Sequence, residues 1–114
     1  MTQLDHEKLD VYQLAIEFVI TSNSIIKNFP KGNSYLADQL RRASSSIALN
    51  IAEGGGEFCK NEKIRFYRMA KRSATECAAI LDISKRLSFL EEANQTQARE
   101  YLIRIVSMLT KMVK

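Results

Sequence analysis

The sequence predicts an all-α protein, an antiparallel up-down-up-down four-helix bundle formed as one domain over residues 1–114. Three observations predict it. Four segments repeat their apolar residues at steps of three and four, the period of a helix with one buried face. Short polar breaks separate them, as suits antiparallel neighbours joined by tight loops. The chain has only 4 Gly and 1 Pro and no sustained apolar–polar alternation, which argues against a many-stranded sandwich or barrel.

The first helix is predicted over roughly residues 6–28, with Val11, Ala15, Phe18, Ser22, Ile25 and Phe29 on one face. Pro30 stops it, because the residue before a proline is pushed out of helical geometry. Ser34 can cap a second helix, predicted over 34–54, whose inward positions are Leu36, Leu40, Ala43, Ile47 and Ile51. Gly54-Gly55-Gly56 ends it, where a glycine can take positive φ. Asn61 can cap the third helix, predicted over 61–89. Its inward stripe is Phe66, Ala70, Ser73, Cys77, Ile80 and Ser84, with Met69, Leu81 and Leu87 beside it. After the break at 91–96, with Asn94 or Thr96 as cap, the fourth helix is predicted over 96–112. It buries Leu102, Ile105, Val106, Leu109 and Val113. At ~1.5 Å per residue such helices make an elongated rod.

Several function classes are disfavoured. Cys59 and Cys77 stand 18 apart and His6 is the only histidine, so one chain offers no set of zinc ligands and no histidine-based triad within its body. The glycines lack the lysine and spacing of a phosphate loop. Glu53, Glu76 and Asn50 could converge between subunits, but without histidine, metal set or phosphate loop. A non-enzymatic protein without cofactor or metal is expected. No apolar run reaches the ~18 residues of a membrane span, and MTQLDHEKLD is not a basic-then-apolar leader, so a cytoplasmic protein is expected.

Charge supplies the first functional clue. Residues 60–72 hold Lys60, Lys63, Arg65, Arg68, Lys71 and Arg72 against Glu62, a net +5. The other eleven Lys/Arg and twelve Asp/Glu leave −1, so the whole excess of +4 sits in one helix segment. Arg65, Arg68, Lys71 and Arg72 fall within about 120° of one helical face. Such a face can contact phosphates and release their counterions without reading base sequence. The alternatives are a solvated face, or a dock for an acidic protein. Tyr12, Tyr35, Tyr67 and Tyr101 have helical spacing that suits core or boundary positions better than base stacking.

A second cluster lies between helices two and three. Gln39, Arg42, Ser46, Asn50 and Glu53 recur at helical spacing, and an antiparallel hairpin sets Arg42 opposite Ser73 and Glu76. An Arg42–Glu76 salt bridge is expected there, with Asn50 and Ser73 hydrogen-bonding nearby. The stripe has two readings: groups that fix register within the chain, or groups that meet a neighbouring subunit or ligand.

These residues carry a resemblance. The run from Gln39 to Gly54 closely resembles the QLRRAxxSIxxNIAEG signature of the small proteins encoded within intervening sequences of bacterial 23S ribosomal RNA genes, the S23 family. Leu9 to Ala15 resembles its LxVYQxA opening, and Phe66 to Glu76 its FYxxAxGSxxE segment. Arg72 departs from that pattern, standing where the family has glycine. The resemblance covers about Leu9 to Leu109. It implies a four-helix bundle assembled as a ring-like homopentamer, with no defined catalytic residues. It also implies kinship with the accessory variability determinant of diversity-generating retroelements, a basic barrel that binds nucleic acid and partners a reverse transcriptase. The expected partners are therefore further copies of the chain, RNA or DNA, and a protein such as a reverse transcriptase.

Overall fold

The computed structural model describes residues 2–114, and the side chains of all of these except Asn33 and Ser34. Its helices are α1 (Asp10–Ile26), α2 (Ser34–Gly56), α3 (Lys60–Arg86) and α4 (Glu92–Met112), with short 3-10 turns at Asp5–Lys8 and Lys31–Asn33. Each helix packs on its neighbours in sequence and α4 closes back on α1, while the backbones of the diagonal pairs α1/α3 and α2/α4 stay more than 8 Å apart among the described residues. The four-helix arrangement is thus an antiparallel bundle, measuring 44 × 31 × 22 Å.

The stripes expected of α1 and α2 are inside. Phe18, Leu40, Ile47 and Ile51 are completely buried, and each large side chain removed from water contributes roughly 1.5–3 kcal/mol. Phe29 lies half-buried beyond α1, its ring 5.6 Å from that of Phe89 beyond α3, so the segments after these two helices share an aromatic plug at one end of the rod. In α4, Gln95 and Ala98 join Leu102, Ile105 and Leu109 in the interior, whereas Val106 and Val113 are half-buried.

The stripe of α3 is rotated from the expected one. Tyr67 and Ala74 are buried in place of Phe66 and Ser73, and Met69 and Leu87 are exposed. The cause lies on α2, where Gly54 leaves room for the Tyr67 ring: a Cβ built there would lie 2.6 Å from it. The hydroxyls of Ser22 and Ser84 are buried in the core without a hydrogen-bond partner among the described residues.

The helix ends differ from expectation for local reasons. Leu9 is extended (φ −86°, ψ 125°), so residues 5–8 form a separate turn and α1 starts at Asp10. No glycine among the described residues has positive φ, and α2 continues helically through Gly56. That leaves only 57–59 for the turn, so Cys59, not Asn61, is the N-cap of α3, its carbonyl accepting from Lys63 N at 2.9 Å. α3 stops at Arg86 because Ser88 takes a left-handed conformation, φ 65°. Phe89 N then bonds Ser84 O (2.8 Å) and Ser88 N bonds Lys85 O (2.9 Å), a Schellman stop with serine in glycine's place. α4 starts from Glu91, earlier than Asn94 or Thr96, because the Gln95 amide donates to Asp82 Oδ1 at 2.8 Å and anchors its first turn on α3. The cap expected of Ser34 concerns a side chain outside the described residues.

Candidate nucleic-acid interface

The α2–α3 contact is close because its residues are small. Ser73 Oγ donates to Ser46 Oγ at 2.9 Å, and Asn50 Nδ2 donates to Ser46 O and Oγ at 2.9 and 3.0 Å. These three half-buried groups satisfy one another across the seam. Toward the loop, Gly54 sits directly against the Tyr67 ring and the Phe66 Cβ. Lys63 Nζ donates to the carbonyls of Gly54 (2.9 Å) and Gly55 (3.4 Å). It therefore caps α2, a role complementary to the negative end of the helix dipole.

The expected Arg42–Glu76 salt bridge does not form. The ion pairs among the described residues are Arg41–Asp38, Arg65–Glu62 and Lys85–Glu92. Ser46 and Ser73 fill the line between the helices, so the long side chains at 42 and 76 splay outward into water, where both are exposed. An exposed pair would gain little from contact. Gln39 and Glu53 are exposed on the same side.

Outside the seam two shallow, open depressions adjoin to make a surface groove. Its larger part, about 680 Å³, lies between Arg41, Arg42, Leu49, Glu53 and Phe66. A second part of about 380 Å³ continues past Met69, Arg72 and Glu76, and Ser46 and Asn50 belong to both. Leu49 is 65% exposed on this face. Sequence reasoning missed Arg41 and Leu49 and placed Phe66 in the core. Leu49 was detectable, because it completes the 42–46–49–53 stripe on the outer side of α2.

The six basic residues divide. Lys60, Arg68 and Arg72 are exposed, Lys71 is half-exposed, and none of the four is in an ion pair among the described residues. Arg65 is engaged by Glu62 at 2.9 Å and lies 4.8 Å from the centre of the Phe66 ring. Lys63 is held by the α2 carbonyls, on the side of α3 away from the main face. A single helix thus presents Arg65, Arg68 and Arg72 outward, of which Arg72 lines the groove.

The inner side of the same helix is chemically quiet. Burial, with a smaller contribution from the Glu76 carboxylate, pushes the Cys77 thiol up to about 12, so it stays protonated and unreactive at neutral pH. Burial also raises the Tyr67 phenol, whose ring is inside the bundle and not offered to bases. Of the other tyrosines, Tyr35 is exposed and Tyr12 and Tyr101 are half-buried.

Among the described residues no helix is long and apolar enough to cross a membrane. Comparison with curated proteins gives no significant match. Among solved structures, the chain is similar to a protein of unknown function from the S23 ribosomal protein family of Bacteroides thetaiotaomicron. The TM-score is 0.83 and the identity 20%, over 91% of this chain and 98% of the other, which establishes the fold. Residues 7–111 match the family model described as 23S rRNA-intervening sequence protein, a span that takes in the signature on α2, the groove and the basic face of α3. The chain belongs to the 23S rRNA-intervening sequence protein family.

Proposed function

We propose that the protein is a non-enzymatic, cytoplasmic bundle subunit that assembles with copies of itself and binds nucleic acid without sequence preference through the basic face of α3. The observation that carries this is the confinement of the chain's net charge to residues 60–72, with Arg68 and Arg72 exposed and in no ion pair among the described residues. Guanidinium groups in water attract phosphates, and each contact that releases a counterion steepens the dependence on salt by ~0.9. Self-association is supported by Ile20 on α1 and Ile103 on α4, each 55% exposed, on helices that close the bundle opposite the α2–α3 face. Five copies in a ring, and a reverse transcriptase as protein partner, are what the S23 resemblance implies.

The test is fluorescence anisotropy of labelled RNA and DNA across a salt series. The log–log slope is expected to be several units, and Arg68→Ala/Arg72→Ala is expected to reduce it by ~2. Arg65→Ala should add less, because Glu62 already engages that side chain. Absence of binding at low salt would overturn the reading and favour an acidic protein as the partner of this face. Self-association is checked by sedimentation velocity, where Ile20→Glu/Ile103→Glu is expected to give a smaller species of unchanged helicity.

A further inference from the structure

Resting on the nucleic-acid reading above, we infer that the α2–α3 groove takes a single strand, with an unpaired base stacked on Phe66 and its phosphates on the arginine rim. The groove separates charge from surface type. Guanidinium groups stand on both sides, Arg42 from α2 and Arg72 from α3, with Arg41 engaged by Asp38 at 2.7 Å, while Leu49, Phe66 and Met69 supply its apolar contact surface. Phe66 is half-buried and lines the groove, and the Arg65 guanidinium, which does not line it, lies over the ring 4.8 Å from its centre, so a base reaches the ring from the groove side or takes the guanidinium's place. Cationic margins around an aromatic contact are what single-strand sites combine, since every base has a stacking face and the backbone alone carries charge.

The carboxylates sharpen the choice. Glu53 and Glu76 also line the groove, in no ion pair among the described residues. They would repel a phosphate laid into it, yet a carboxylate accepts from base amino groups, and Asn50 Oδ1, whose amide nitrogen is engaged by Ser46, and the Ser45 hydroxyl add further polar partners. Bases inward and phosphates outward is the arrangement this lining accommodates. A duplex presents the reverse, with phosphates outside and base faces covered, so it reaches the arginines but not Phe66. The comparable depression between α3 and α4 lacks this character: its Asp82 is bonded to Gln95 and its Lys85 to Glu92.

The test uses a fluorescein-labelled single-stranded DNA oligonucleotide, its RNA counterpart, and the DNA annealed to its complement, with the full chain. Single strands are expected to bind about 10-fold tighter than duplex, and Phe66→Leu, which keeps apolar volume but removes the ring, should abolish that preference. The salt slope should be unchanged in Phe66→Leu, since the phosphate contacts remain. Phe66→Tyr should restore the preference and guards against a merely structural loss. Equal binding of both forms, unaltered by Phe66→Leu, would overturn the inference while leaving the basic face of α3 as a phosphate surface. A change of sedimentation in Phe66→Leu with strand preference intact would also overturn it, assigning the groove to another copy of the chain. No binding of any probe at low salt would remove the nucleic-acid reading itself.

Discussion

α3 packs against two neighbours by different means, and the contrast separates what holds the fold from what is available to a partner. Toward α4 its charges are used within the chain: Asp82 accepts from buried Gln95, and Lys85 meets Glu92 at 3.4 Å. Toward α2 the middle of the seam is neutral and close, with Ser73 on Ser46 and Gly54 against Tyr67; Lys63 is engaged by the α2 carbonyls at its loop end, and the charged residues Arg42, Glu53, Arg72 and Glu76 face outward in no ion pair among the described residues. A seam that closes by small residues leaves its long side chains on the outside. That is why the groove and the cations lie on this side of the bundle.

The largest effect should come from crowding the close seam. Gly54→Val places a branched side chain where even a Cβ would lie 2.6 Å from the buried Tyr67 ring and 3.2 Å from Phe66 Cβ. A loss of ~3 kcal/mol is expected, read as a lowered urea midpoint, despite the better helix propensity of valine. Gly56→Ala is the control two residues away. Nothing lies within 4 Å of its Cβ position and its φ is not positive, so it should gain ~0.5–1 kcal/mol. Equal effects at both sites would show that the seam is looser than described.

A smaller loss is expected at alkaline pH, from the core behind the seam. The Cys77 thiol is raised from 9.0 to about 12 in the folded chain, so the native state keeps a proton that the unfolded chain gives up. Its contribution is complete below pH 9 and is lost as pH rises toward 12, at ~1.4 kcal/mol per unit while only the unfolded state ionises. Between pH 9 and 11 stability should fall by ~2–3 kcal/mol. Cys77→Ala should flatten that part of the curve, leaving the shallower decline from the raised Tyr67 phenol. Exposed Cys59 should react with a thiol reagent in the native protein while Cys77 reacts only on unfolding.

How far each region could be read from sequence follows the same division. The faces of α1 and α2 were legible, because large aliphatic residues and Phe18 repeat at one helical phase with nothing competing. The phase of α3 was not, since Phe66 and Tyr67 are adjacent aromatics and the choice between them is made by Gly54 on another helix. The stop at Ser88 was hidden because serine carries no signal for positive φ. The family signature lies on the stretch of α2 that lines the groove. Opposite positions in a hairpin, however, gave only the neighbourhood of Arg42 and Glu76, not their outward splay. Lys63 counted as a cation in composition, while the loop geometry that makes it a helix cap is visible only in three dimensions.

The two seams differ most sharply in what a single deletion should cost. Gln95→Ala removes the amide bonded to Asp82 and opens space in a site where Gln95 is 8% exposed, so ~1–2 kcal/mol should be lost. Arg42→Ala removes an exposed charge in no ion pair among the described residues, and a change within ~0.5 kcal/mol is expected. A buried Arg42–Glu76 pair would instead have cost roughly 3–5 kcal/mol on loss of one member, a difference that urea titration resolves easily. Glu76→Ala extends the test, because without that pair its stability effect should be as small and should add to that of Arg42→Ala without coupling. A coupled loss in the double variant would return Arg42 to the fold. Additive, near-zero stability changes, with weakened oligonucleotide binding in Arg42→Ala, would assign it to the groove.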